Sequence, residues 1–155
     1  MTAFTNKVDF AVIFTVNKAN PNGDPLSGNQ PRIDFKGFGE VSDVCMKRKI
    51  RNRLQDMGEN IFVQSDERSN DGFKSLSERA SNNKELKAVL KDREAYASAA
   101  CKQWTDVRAF GQVFAFKANN VSVGVRGPVS IRTAESINPV VTTDMQITKS
   151  VNSEP

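Results

Sequence analysis

The sequence predicts an α+β fold on three observations. Residues 8–16, VDFAVIFTV, form a near-continuous apolar run of the kind that makes a strand. Residues 40–57 carry apolar side chains at helical spacing. Downstream, helical patterning alternates with short β-branched and aromatic runs. The order strand, helix, strand, insertion, helix, further strands is that of an opening ferredoxin-like βαββαβ unit with additions between its elements.

Each element has its own local reason. The run at 8–16 lacks the alternation of a half-exposed strand, so it predicts a central strand or one covered on both faces. Residues 20–34, NPNGDPLSGNQPRID, hold three prolines, two glycines and three asparagines. That composition fits a structural loop whose glycines meet positive φ. It fits equally a lining of Asn side chains and backbone N–H groups around a phosphate. Spacing leaves the two readings level, although no GK[ST] follows to make a Walker loop.

The helix at 40–57 has Ser42 or Gly39 to begin it and Gly58 to stop it. Met46, Ile50, Leu54 and Met57 mark its packing stripe, with Lys47, Arg48, Lys49, Arg51 and Arg53 on the flanks and the far face. NIFVQ at 60–64 predicts a second strand, and the polar residues 65–84 an exposed insertion with one short helical turn. Residues 85–105 read as a helix with Leu86, Val89, Leu90, Ala97, Ala100 and Trp104 inward. VRAFGQVFAF at 107–116 reads as a strand or irregular core segment. VSVGVRGPVSI at 121–131 reads as a strand that Gly124, Gly127 and Pro128 mark for a bulge or an edge. After Ile131 no second crossover helix and closing strand can be found, so the second half of the unit looks incomplete.

Composition narrows the chemistry. At 155 residues the chain is one domain or part of one. It contains no histidine, which removes Ser-His-Asp and Cys-His catalysis and His-ligated metals. Cys45 and Cys101 stand far apart, without zinc-ligand spacing, and suit a reducing, cytoplasmic setting. Asp24, Asp34 and Asp43 are spaced so that no two share a ligand face, so no metal and no cofactor is expected. The N-terminus lacks a signal-peptide cleavage site, and no apolar run is long enough to span a membrane.

A net charge of +4 is modest, and its clustering matters more. Five of the seven residues 47–53 are basic, with no acid among them. Like charges at helical spacing repel by about a few tenths of a kcal/mol per pair. A polyanion would relieve that repulsion and release counterions on binding; the plain alternative is a solvated face. Arg108 and Arg126, beside glycine-containing segments, are further candidates for phosphate contacts. Trp104, Phe110, Phe114 and Phe116 are expected in the core, because the aromatic motifs of a base-stacking sheet are absent.

Five separated blocks then carry a resemblance: NPNGDP, GFGEVSDVCMKRKIRNRLQD, WTDVRAFGQVFA, GVRGPVSI and INPV…ITKSVN. Together they resemble the backbone subunit of type I CRISPR Cascade surveillance complexes, the Cas-seven family, and within it the type I-C, Dvulg-type branch. The resemblance implies a modified ferredoxin-like, RNA-recognition-motif palm at 1–64 and 85–131, a fingers insertion at 65–84, and a thumb β-hairpin beginning at 132–155. Family members are longer, so the palm would be truncated on its C-terminal side.

By the same resemblance the protein is not an enzyme. It would bind the CRISPR RNA backbone, polymerise along it in a filament of its own copies, meet a target DNA strand through the guide, and join other Cascade subunits. Asn20, Asn22, Arg32, Lys47, Arg48, Lys49, Arg51, Arg108 and Arg126 would hold RNA, and Met145 or Ile147 would wedge between bases. Two other functions stay open: a metal-dependent ribonuclease using aspartates, as in related type III subunits, and a purely structural filament protein.

Overall fold

The computed structural model describes residues 4–116 and 121–151. The chain is α+β, with helices and two-stranded sheets along its length. In chain order the elements are β1 (Gly23–Asp24), β2 (Gln30–Pro31), β3 (Phe38–Val41), α1 (Asp43–Asp56), α2 (Leu76–Asn82), α3 (Lys84–Ala88), α4 (Arg93–Gln103), α5 (Thr105–Phe110), β4 (Gly111–Phe116), β5 (Val121–Arg126) and β6 (Ala134–Pro139). Two compact units result: one takes Met1–Glu40 with Glu135–Pro155, the other Val41–Ala134. Residues 1–3 and 117–120, within the expected palm, and 152–155, within the expected thumb, lie outside the described residues.

In the first unit, β1 and β2 form an antiparallel ribbon with Gly23 opposite Pro31 and Asp24 opposite Gln30. A 3-10 turn over Pro25–Ser27 joins them, capped by the Asp24 side chain, which accepts from the Leu26 N–H at 3.1 Å. Gly28 and Asn29 close the turn in the left-handed region, at φ 61° and 63°. β3 pairs with β6.

The strand predicted at 8–16 does not form. These residues adopt no regular structure, and Val8, Phe10, Val12 and Ile13 are exposed. A strand needs a partner to take its N–H and C=O groups, and among the described residues none pairs with this segment.

The second unit holds the core. Phe62, Leu86, Tyr96, Ala100, Trp104, Val107, Phe114 and Val123 pack together, with Ala80 beside them. Its centre is aromatic. The Phe62 ring lies 4.6 Å from Trp104 and 5.1 Å from Phe114, and Tyr96 meets Phe114 edge-on at 5.4 Å. Trp104 and Phe114 are therefore core residues, as their setting predicts, while Phe110 and Phe116 are half-buried.

Helix α1 begins where Ser42 caps it, the Ser42 Oγ accepting from the Cys45 N–H at 3.3 Å. Gly58 at φ 86° follows its end. Its apolar stripe is shallow: Met46, Ile50 and Leu54 are half-buried and Met57 is exposed.

Three expectations change in this unit. NIFVQ is no strand: Ile61 and Phe62 are buried, but the Phe62 and Val63 N–H groups donate to the Asp106 carboxylate instead of to a ladder. The polar stretch 65–84 is more ordered than predicted, carrying a 3-10 turn at Asp66–Arg68 and all of α2, with Arg79 and Ala80 buried. The helix predicted at 85–105 is two, α3 and α4, because Asp92 starts a new helix by accepting from Glu94 and Ala95 N–H at 3.0 Å.

The segment 107–116 also divides. It finishes α5, turns at Gly111 (φ 80°), and enters β4, which pairs antiparallel with β5 from Gly111–Arg126 to Phe116–Val121. A side chain at Gly127 would strike the backbone of Ala109 and Gly111, so this glycine allows the α5–β4 junction and the end of β5 to touch.

Candidate nucleic-acid interface

The five cations of α1 are not equivalent. Lys47 forms an i,i+4 pair with Asp43 at 3.0 Å, which holds the Asp43 carboxyl below its ordinary value. Arg48 donates through Nε to Asn52 at 2.9 Å and through a terminal nitrogen to the Val63 carbonyl at 2.6 Å. Burial, and then the neighbouring Arg51 charge, hold the Arg48 guanidinium below the usual arginine value. Arg51 donates to Asp106 at 2.9 Å and lies over the Phe110 ring, 5.2 Å from its centre. Lys49 and Arg53 are exposed and without a bonded partner among the described residues.

Behind this surface stands Asp106, 1% exposed at the start of α5. Its carboxylate accepts from the Arg51 guanidinium, from the Phe62 N–H at 2.7 Å and from the Val63 N–H at 3.1 Å. One side chain thus ties together α1, the 61–63 segment and α5. A further arginine joins from the 65–84 region. Arg68 pairs with Asp56 and donates to the Asn52 carbonyl at 3.3 Å, while Gln55 donates to the Arg68 carbonyl at 2.6 Å. Three guanidiniums, from Arg48, Arg51 and Arg68, therefore collect along one flank of α1, and two of them work as struts for its outer row.

Asp106 and Arg68 were not singled out in the sequence. Asp106 lies in the WTDVRAF block, but its partners stand 43 to 55 residues away, and no local pattern announces them.

The remaining candidates lie elsewhere. Arg108 on α5 and Arg126 at the end of β5 are both exposed. Burial pushes the Cys101 thiol up, with the Arg108 charge acting against that rise. In the first unit, Asn20 donates to the Asn29 carbonyl at 2.7 Å and Asn22 to the Gly23 carbonyl at 3.2 Å. Arg32 reaches Asp24 at 3.5 Å. Each of these side chains braces the turn it belongs to. Met145 and Ile147 are exposed, in a stretch without regular structure.

The aspartates act locally as well. Asp24 caps its turn, and Asp34 accepts from the Lys36 and Phe38 N–H groups, both at 2.8 Å. Among the described residues no group of three or more Asp, Glu, Cys or His side chains is disposed to hold a metal ion. No described helix is long and apolar enough to cross a membrane.

Among the described residues the arrangement offers positive charge on an exposed face of α1, with Arg51 beside it held by the buried Asp106 carboxylate and further arginines at Arg108 and Arg126. Comparison with known proteins identifies the family of the chain. The family model described as CRISPR-associated protein Cas7 matches residues 6–155. A protein of Haloferax volcanii named CRISPR-associated protein Cas7 is 30% identical over 150 residues, an alignment covering 87% of this chain and 44% of that protein. The chain thus spans less than half the length of this curated relative.

Proposed function

The chain belongs to the CRISPR-associated Cas7 family, and from that premise we propose that it is a non-catalytic backbone subunit, of the type I-C kind, that grips guide RNA by its sugar–phosphate chain. The observation that carries this reading is the division of labour on α1. Lys49 and Arg53, four residues apart and so neighbours along the helix surface, share one exposed face. The like charges beside them are held in place by Asp106 and Asn52 and do not splay into water.

Such a row suits a polyanion whose sequence is read by base pairing and whose backbone is read by the protein. In this proposal Lys47, Lys49 and Arg53 touch phosphates, and Arg48 and Arg51 contribute charge from behind while positioning the helix. Arg108 and Arg126 extend the track. Asn20, Asn22 and Arg32 present their turn to the same strand, and Met145 or Ile147 parts neighbouring bases. Residues 1–64 and 85–131 would be the palm, 65–84 the fingers and 132–155 the start of the thumb.

Assembly is the second half of the proposal. The apolar side chains exposed between Val8 and Val16, and again at Val141, Met145 and Ile147, leave surface that copies of the chain or other Cascade subunits would cover. The resulting cytoplasmic filament would meet target DNA through the guide it carries.

The test is retention of RNA. Single strands of equal length and different sequence should bind with closely similar affinity and remain intact in Mg²⁺. Cleavage that an aspartate-to-alanine change abolishes would make the protein an enzyme, and failure to retain any RNA would reject the proposal.

A further inference from the structure

A cleft of about 390 Å³ opens in the second unit, with none of the α1 cations in its lining. Its lining is unusually rich in carboxamides, contributed by the 60–70 segment, the α2–α3 junction and the end of α4. The side chains of Asn60, Asn70 and Gln103 have no bonded partner among the described residues. Each offers a donor and an acceptor side by side, the pattern that pairs with the edge of a base.

Phe73 adds a half-buried ring to the wall, and buried Ile61 and Trp104 lie beneath. The wall is firm. Arg79, 5% exposed, grips Asp71 and donates to the Phe62 carbonyl at 2.9 Å and the Phe73 carbonyl at 3.3 Å.

Charge at the cleft is balanced. Asp71 is neutralised by Arg79, and the rim carries Lys84 beside Glu85. An anion site would show an excess of donors and positive charge, which this cleft lacks. The size is that of a small-molecule site and admits a nucleoside. An aromatic ring among unpaired carboxamides suits an uncharged, planar heterocycle with hydrogen-bonding edges.

We propose that this cleft is a nucleobase site, taking the base of a free nucleoside or one turned out of a bound strand. It does not depend on phosphate binding at α1. A peptide is the weaker fit, because the cleft is bordered by helices and loops without a strand edge to extend.

Trp104 is the single tryptophan of the sequence and reports on the site directly. The purified chain is titrated with adenosine, guanosine, cytidine and uridine, following Trp104 fluorescence and the side-chain amide signals of Asn and Gln in ¹H–¹⁵N spectra. Saturable changes with at least one nucleoside are expected. Asn70→Ala should weaken binding about fivefold, the worth of one hydrogen bond. Gln103→Leu should do the same, and Phe73→Leu should weaken it by at least as much through lost stacking. The Lys49→Ala/Arg53→Ala variant should bind nucleosides as the parent does, which separates this site from the RNA-backbone reading.

Single-stranded RNA that shifts the same amide signals would identify a base of a bound strand as the source. Nucleosides alone shifting them would identify free nucleosides. Either supports the site. No saturable response at millimolar nucleoside overturns the proposal. So does equal competition by ribose 5-phosphate, or by a short asparagine-containing peptide, and so does unchanged affinity in Asn70→Ala and Gln103→Leu together.

Discussion

Replacing Asp106 by alanine should be among the most damaging single changes in this chain. The side chain is 1% exposed and receives three donors. Its removal leaves the Arg51 guanidinium, whose side chain is only 12% exposed, without its carboxylate. Breaking one partner of a buried pair costs about 3–5 kcal/mol. The Phe62 and Val63 N–H groups lose their acceptor too, at about 1–3 kcal/mol for each that stays dry.

These terms overlap, since water entering the gap would serve more than one donor. We therefore expect about 3–5 kcal/mol in all, a large part of the stability of an ordinary domain. With a urea slope of roughly 1–2 kcal/mol/M, the unfolding midpoint should fall by about 1.5 M or more. Trp104, 4.6 Å from Phe62, makes its fluorescence the natural probe. A midpoint for Asp106→Ala corresponding to less than about 1 kcal/mol would refute the reasoning, since no unsatisfied buried arginine would then exist.

Two smaller perturbations test other joints. Ser42→Ala removes the cap on the Cys45 N–H and should destabilise by about 1 kcal/mol in the same urea assay, with glycine in its place costing less. Asp71 is held below its ordinary value of 3.8, first by its hydrogen bond to Arg79. A depressed carboxylate stabilises the fold above its unfolded pKa, and that contribution fades as pH falls through the folded value. Thermal unfolding should therefore show stability lost below about pH 4 in the parent and a shallower loss in Asp71→Asn. A loss of equal steepness in both would remove Asp71 from the acid response.

How much of this was legible in the sequence depended on how far each cause reaches along the chain. Helix α1 could be read because its signals are local: Ser42 before it, Gly58 after it, and apolar residues at a helical period between. The core role of Trp104 and Phe114 could be read from their aromatic character and the absence of base-stacking motifs, but the same reading placed Phe110 and Phe116 in the core, where they are only half-buried.

NIFVQ deceived because its composition is that of a strand, while its hydrogen bonds go to a carboxylate 43 residues or more away. Residues 8–16 carry a strand's composition too, but composition does not supply a partner, and the described chain provides none. The break between α3 and α4 was in principle readable from Asp92, a capping residue inside a helical pattern.

The basic run shows the same limit at the candidate site. Sequence sees five equal charges at 47–53; only the fold separates Arg48 and Arg51, which face Val63 and Asp106, from Lys49 and Arg53, which face water. The cleft near Trp104 was invisible in the same way, because its carboxamides come from three separated segments.

The central claim, that the outer face of α1 holds an RNA backbone, is tested most directly by the salt dependence of binding. Affinity for a single-stranded RNA is measured from low to moderate salt for the parent and for Lys49→Ala/Arg53→Ala. Each phosphate contact contributes roughly 0.7 to the slope of log K against log salt for a single strand. The double variant should bind more weakly at low salt, with a slope shallower by about 1.4. An unchanged slope with unchanged affinity would contradict the account and leave the α1 charges as an ordinary solvated surface.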